Sequence, residues 1–303
     1  MDSSFENPYF NQQRILLIAE EIIKRRLNIS YYINIRASFH KIATPELMQK
    51  MIDSGLVNVF VGIESFFEED LRLFNKSSTL EDGERILQVL QQYPVNIDIG
   101  LINFHSKSTI ISLRKNAQTL QKYNLSSRLS ILNRLMIYKG TPLYDYLETE
   151  NMVQGEYYEL TNYKFSDPRI EVLNHFIFDI IKNENLNPLL SELDLFEHRH
   201  ITLVYHMKHY LKNLGDFDSL AIVVKYEKKL ELWLSKLNEI NTSWFMELLD
   251  LLENGWNEKE AAAIFIKDMN RETISQYLRQ LKNDNLQLYR KLSKQNRDYL
   301  HQL

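Results

Sequence analysis

The 303-residue chain contains no cysteine. That removes disulfides, thiolate catalysis, and any zinc or iron–sulfur site held by thiolates of this chain. Its eight glycines are scattered, and neither a phosphate loop nor a dinucleotide fingerprint can be assembled from them. "GIES" at residues 62–65 is not a nucleophile elbow. No window approaches the roughly 18 unbroken apolar residues of a membrane span. The net charge is only -4 with both signs interspersed, so no basic field argues for nucleic acid as the main partner. The opening "MDSSFENPYF" is acidic and polar, unlike a secretion signal, and a cytoplasmic location is the expectation.

What is present is a globular composition, 44% hydrophobic and 12% aromatic, enough for a sizeable core. The first half alternates two periods. "QRILLIAEEIIKRRL" (13–27) places Ile15, Ile18, Ala19, Ile22 and Ile23 on one face and predicts a helix. "SYYINIRAS" predicts a strand. "TPELMQKMIDSG" predicts a helix capped by Thr44, opened by Pro45 and ended at Gly55. "VNVFVGIES" is a second strand. "TLEDGERILQVLQQY" is a helix whose Thr79 and Asp82 have capping-box spacing, stopped by Pro94. "VNIDIGLINF" is a third strand, residues 109–123 a helix, and "SRLSILNRLMIY" a fourth strand region.

Strands alternating with helices at about 25 to 40 residues suit right-handed crossovers and a parallel sheet. Their Val, Ile and Phe content predicts strands covered on both faces. After about residue 150 the periodicity is helical. The expected fold class is therefore α/β: a partial parallel (β/α) barrel of about four strands over residues 1–150, then a mostly α-helical domain over 151–303.

In such sheets, ligands sit beyond the carboxyl ends of the strands. The polar residues expected there are Arg36 and Ser38 after "INI", Glu64 and Ser65 after "VGI", Asn103 after "GLI", and Tyr138 before "KGTPLY". A guanidinium, a carboxylate, hydroxyls and an amide on one rim could hold a polar small molecule. For any single residue, a polar start to a loop is the simpler reading; four strands in succession weaken it.

The series "DSSF", "RAS", "ELMQKMIDSGLVNVFVGIES", "LRLFNKSSTLED", "IGLINF" and "YKGTPLYDYLE" resembles the second part of the radical S-adenosylmethionine barrel. The likeness is greatest to cobalamin-type or peptide-modifying members. It covers roughly residues 1–150 and implies that Arg36, Ser38, Glu64, Ser65, Asn103 and Tyr138 face S-adenosylmethionine. Within it, Glu64 and Ser65 meet the ribose or methionine part, and Gly100 to Asn103 pass the adenine. Asp2 matches the end of a strand whose body would precede Met1. The family also implies a [4Fe–4S] cluster held by three cysteines, which this chain does not have. "HSKST" after the third strand also departs from the family's proline-containing loop.

The resemblance thus implies a truncated or split protein, of ancestral radical-based activity on a substrate such as a ribosomal peptide, inactive alone. An upstream cysteine-bearing polypeptide would complete the barrel, and the first visible strand would otherwise leave an apolar edge. Two other classes stand beside this: a non-catalytic peptide-binding or partner protein, and an unrelated barrel enzyme using rim carboxylates such as Glu64. The last would need a second titratable group beside Glu64.

Among the remaining motifs, "EHRH" (197–200) with His206 and His209 suggests metal, but a solvated helix face is the expectation. His40 and His105 lie near the rim and are expected as loop residues. The stretch from "FMELLDLLENGW" to "KNDNLQL" (245–288) is weakly similar to helix-turn-helix or winged modules, and residues 257–303 carry nine Lys and Arg against six Asp and Glu. A structural bundle is expected there before peptide binding, with DNA third.

Overall fold

The structure is a computed structural model that describes residues 12–156, 158–182 and 186–295. Asp2, matched to a strand end by the family resemblance, lies outside them. The chain begins with α1 (Gln12–Lys24), β1 (Tyr31–Arg36), a 3₁₀ turn (Ala37–Lys41), α2 (Pro45–Asp53) and β2 (Leu56–Glu64). There follow α3 (Glu68–Leu73), α4 (Leu80–Leu90), β3 (Asn96–Leu101) and α5 (Ile110–Lys122). Beyond these come only helices: α6 (Arg128–Leu132), α7 (Pro142–Thr149), α8 (Pro168–Lys182) and α9 (Asn187–Leu214). The last three are α10 (Phe217–Asn254), α11 (Glu258–Met269) and α12 (Arg271–Gln295).

Local chemistry explains the boundaries. Thr44 caps α2 by accepting from the Leu47 N–H at 3.2 Å, with Pro45 at the first helical position. Gly55 follows at φ +111, and a side chain there would meet the Ile29 carbonyl at 2.1 Å. Thr79 and Asp82 form the reciprocal capping box of α4, at 3.0 and 3.1 Å.

The three strands form a parallel sheet in the order β1-β2-β3, as successive right-handed crossovers require. The fourth strand region is different. Arg128–Leu132 is the helix α6, capped by Ser127, whose hydroxyl accepts from the Ser130 N–H at 3.1 Å. A serine able to cap competes with strand pairing for the same backbone groups. What survives is one parallel bridge, Phe104 to Arg134, with the Leu135 N–H donating to the Phe104 carbonyl at 2.8 Å.

The sheet is also not covered equally on its two faces. Ile33, Ile35, Val59, Val61 and Ile63 are buried in one apolar cluster with Leu47, Met48 and Met51 of α2 and Ile86, Leu87 and Leu90 of α4. Burying such side chains contributes about 1.5–3 kcal/mol each. The other face carries Tyr32, Asn34, Arg36, Asn58, Phe60, Gly62, Glu64, Asn96, Asp98 and Gly100. Tyr32 is 70% exposed there, and Asn34 and Arg36 are exposed. The alternation of polar and apolar residues was masked by the aromatics, and it leaves this face open to solvent in part.

The C-terminal helices pack on this body. α9 crosses β2 and β3, α10 packs along α5 and α9, and α12 lies against both α9 and α10. Thr202 accepts from Asn96 at 3.1 Å, and His206 bonds Ser30 at 2.7 Å. β1 has no strand partner on its outer edge among the described residues.

Candidate functional site

The register brings the strand ends together. Arg36 pairs with Gly62, and after a register shift Glu64 pairs with Leu101. The Ile102 N–H donates to the Glu64 carbonyl at 2.7 Å, and the Asn103 N–H to the Asn133 carbonyl at 3.1 Å. Arg36, Glu64 and Asn103 therefore stand on neighbouring strand ends. Tyr138 lies past the last pairing: it is 52% exposed with its hydroxyl against the Met136 sulfur at 3.4 Å. The Ile137 N–H instead bonds the Leu160 carbonyl at 2.7 Å, which draws this segment to the 160 turn.

Glu64 has φ +70, a conformation costing a non-glycine residue about 1 kcal/mol or more. Its side chain folds back over Gly62, where a β-carbon would lie 3.2 Å from its Oε1. Lys76 pairs with it at 2.7 Å. The second titratable group that acid–base use of Glu64 requires is thus present. Ser38 sits half-buried in the 3₁₀ turn.

The neighbours of Glu64 behave differently. Ser65 is buried and donates to Asp70 at 2.7 Å, while accepting from Asn116 at 3.2 Å and from the Phe67 N–H at 3.1 Å. Asn116 accepts from the Phe66 N–H at 2.7 Å. His105 completes the knot, with Nε2 3.1 Å from Asp70 and its ring edge-on to Phe74 at 5.1 Å. Ser65, Asp70, His105 and Asn116 are all less than 5% exposed. A serine, histidine and aspartate so enclosed hold the end of β2 to α3 and α5; no reactant can reach them. Asn103 is likewise fully buried and donates to the Ser130 and Ile131 carbonyls. Its Oδ1 has no partner.

His40 is also structural. It bonds Asp82 at 2.7 Å, and Lys41 reaches the same carboxylate at 2.9 Å. Burial would raise the Asp82 carboxyl, but hydrogen bonds from His40, the Thr79 N–H and Lys41 outweigh it and hold it far below the usual carboxylate range.

The [4Fe–4S] cluster of the family does not fit these residues. There is no thiolate to ligate iron, and no group of three or more His, Asp and Glu among the described residues could hold a metal ion. At these strand ends Arg36 is exposed, Glu64 is half-buried and paired with Lys76, and Asn103 is fully buried.

Lower on the same face is a second polar system that the sequence reading passed over. Asn58 donates to Asp98 at 2.8 Å and accepts from Asn96 at 2.7 Å. His198 of α9 pairs with Asp98 at 3.2 Å. Its hydrogen bond to Asp98 raises the imidazole above its ordinary value, against the opposing effect of burial. "EHRH" is therefore not a solvated face. Glu197 is buried, His198 reaches the sheet, and His200 stacks on Phe196 at 4.0 Å between centroids. Beside Glu197, Arg128 and Asp194 form a buried bidentate ion pair. Burial and the Asp194 charge push the Glu197 carboxyl up to about 8. The usable signal in the sequence was the alternation of Asn96 and Asp98 with Ile97 and Ile99.

No protein-family model matches the chain. A search of curated proteins finds the anaerobic magnesium-protoporphyrin IX monomethyl ester cyclase of Rubrivivax gelatinosus. It is 24% identical over 119 residues, which is 39% of this chain and 21% of the cyclase. Among solved structures, the cobalamin-dependent S-adenosylmethionine radical enzyme OxsB with aqua-cobalamin superposes with a TM-score of 0.56 at 16% identity. Its form with aqua-cobalamin and S-adenosylmethionine gives 0.55. Each superposition covers 95% of this chain and 46% of OxsB, so the chain spans about half the length of that enzyme. By fold across nearly its whole length, and by sequence over about two-fifths of it, this chain is related to the radical S-adenosylmethionine superfamily.

Proposed function

We propose that the chain is one part of a split radical S-adenosylmethionine barrel, contributing the adenosyl-facing rim while a cysteine-bearing polypeptide contributes the cluster. The observation that carries this is the polar face of the sheet. Three adjacent strand ends present Arg36, Glu64 and the buried Asn103, and no cysteine accompanies them. An iron–sulfur cluster is what supplies the electron in this chemistry, and the present residues have no means to replace it. Their own part is binding. Arg36 and Glu64 would orient a charged, hydroxylated ligand, and the helices behind them would keep the rim rigid. The partner would dock along the outer edge of β1, which has no strand partner among the described residues. The residues before about 150 would then form the barrel part, and those after it a helical buttress.

Equilibrium dialysis of the full chain with labelled S-adenosylmethionine tests the rim. Binding is expected for the wild type, and a loss of about tenfold or more for Glu64→Gln combined with Arg36→Ala. Equal retention by the double variant, or no binding by the wild type at about 1 mM ligand, overturns the assignment.

A further inference from the structure

At the other end of the sheet, well below the rim, a cavity of about 350 Å³ opens along the free edge of β3. Its walls come from residues 95–99, the C-terminal end of α5 with the turn after it, and the facing sides of α9 and α10. Ser127 and Ser130, from the segment that coils into α6, line it as well. The volume falls in the range of small-molecule sites.

The chemistry of the lining is one-sided. Asp98, Glu197 and Glu231 contribute carboxyl groups, and no lysine or arginine lines the cavity. The nearby cations are engaged elsewhere. Lys122 lies over the Tyr123 ring at 4.9 Å, Lys208 pairs with Glu227 at 2.6 Å, and Arg128 is committed to Asp194. His198, which does line the cavity, is held by Asp98. One acceptor in the wall is left over. Asn238 lines the cavity, is only 6% exposed, and its Oδ1 has no hydrogen-bond partner. Glu197 has one distant side-chain donor, Asn241 at 3.5 Å, besides the Arg128 backbone N–H. A buried acceptor without a donor costs about 1–3 kcal/mol, so the Asn238 oxygen on this wall, beside the sparsely bonded Glu197, points to a ligand that brings donors. Ile97, Ile201 and Leu234 supply apolar wall.

We propose that this cavity binds a small organic cation, a primary ammonium on an apolar body, whose N–H groups are received by Glu197 and Asn238. An ammonium offers three donors and no acceptor, which matches the lining. Glu231 stands at the exposed mouth, where a carboxylate draws a cation inward. The site is separate from the adenosyl rim and does not depend on the reading given for it.

Protons provide a signature. The groups facing Glu197 are Asp194 and His198 on its own helix, Arg128 on α6, and Asn241 on α10. With this carboxyl pushed up to about 8, it is mostly protonated near neutral pH. Receiving a cation requires the carboxylate, so binding must release a proton.

The test is calorimetric titration of the full chain with 2-phenylethylammonium, against 2-phenylethanol and 3-phenylpropanoate as neutral and anionic counterparts. Each is run in two buffers of different ionisation heat. The ammonium is expected to bind at least about tenfold tighter than either counterpart. Near pH 7 it should release close to one proton, vanishing by about pH 9, with affinity rising severalfold from about pH 6 to pH 8. Glu197→Gln is expected to weaken ammonium binding about tenfold and to abolish proton release, leaving the alcohol unaffected. Should that variant not fold, the wild-type charge discrimination and proton count decide alone. Equal binding of the alcohol or the acid overturns the proposal. So does ammonium binding without proton release, or no saturation by about 10 mM.

Discussion

Two polar clusters sit on the same small sheet and differ in one respect, whether they open on a cavity. The knot at the end of β2, built from Ser65, Asp70, His105 and Asn116, is closed. Its members are almost fully buried and largely bonded to one another or to backbone. The system around Asp98, His198 and Glu197 lines an open cavity, with an unpartnered Asn238 oxygen and a sparsely bonded carboxyl. Both contain residue types that suggest catalysis when read as letters. Only the second lines a cavity with space for a ligand, so room for a ligand, more than residue identity, separates scaffold from site.

The difference is open to direct attack. Breaking the closed knot has the largest expected effect. Asn116→Leu deprives the Phe66 N–H and the Ser65 hydroxyl of a partner and should destabilise the fold by about 3 kcal/mol, measured by urea unfolding near pH 7. A change under about 1 kcal/mol would mean that the knot is not a structural unit.

In the open system the sign reverses. Glu197 has its folded pKa raised. Its native form therefore holds a proton that the unfolded chain gives up, and its contribution falls as pH climbs from about 4.5 towards about 8. Glu197→Gln removes that dependence and should stabilise the protein by about 2 kcal/mol near pH 8, with no gain near pH 4.5. Thermal unfolding of both proteins across this range checks the crossover.

Asp82 behaves in the opposite way. Its folded pKa is depressed by His40, Thr79 and Lys41, so its contribution is present above its unfolded pKa and is lost as pH falls towards the folded one. Asp82→Asn should cost about 1 kcal/mol near pH 7, shrinking to nothing in strong acid. The smallest effect is expected at the surface. Lys76→Met removes the partner of Glu64 but should shift stability by less than about 0.5 kcal/mol, while altering any ligand binding at the rim.

Much of the sheet was legible from residue pattern. Thr44, Pro45 and Gly55 bracket α2, and Thr79 with Asp82 opens α4, because caps are local chemistry. The rim was legible as strand ends but not as side-chain roles. Ser65 and Asn103 turn inward because Asn116 and the 130–131 carbonyls await them, partners 51 and 28 residues away that no local pattern reveals. The fourth strand failed because a capping serine at 127 prevailed over a weak alternation. The open face was hidden because Tyr32 and Phe60 count as apolar letters while standing on the polar side; Phe60 lies across Gly100, where a β-carbon would be 2.6 Å from the ring. Glu197 could not be foreseen as buried, since its surroundings come from β3, α6 and α10.

One measurement bears on the central reading more directly than any other. The full chain is incubated anaerobically with iron, sulfide and S-adenosylmethionine, with a strong reductant, and examined for sulfur-to-iron charge-transfer absorption and for 5′-deoxyadenosine. A rim that lacks its own cluster ligands predicts neither signal from this polypeptide alone, even where S-adenosylmethionine binds. Appearance of both would mean that these residues hold a working cluster without thiolates, and the split-barrel reading would be wrong.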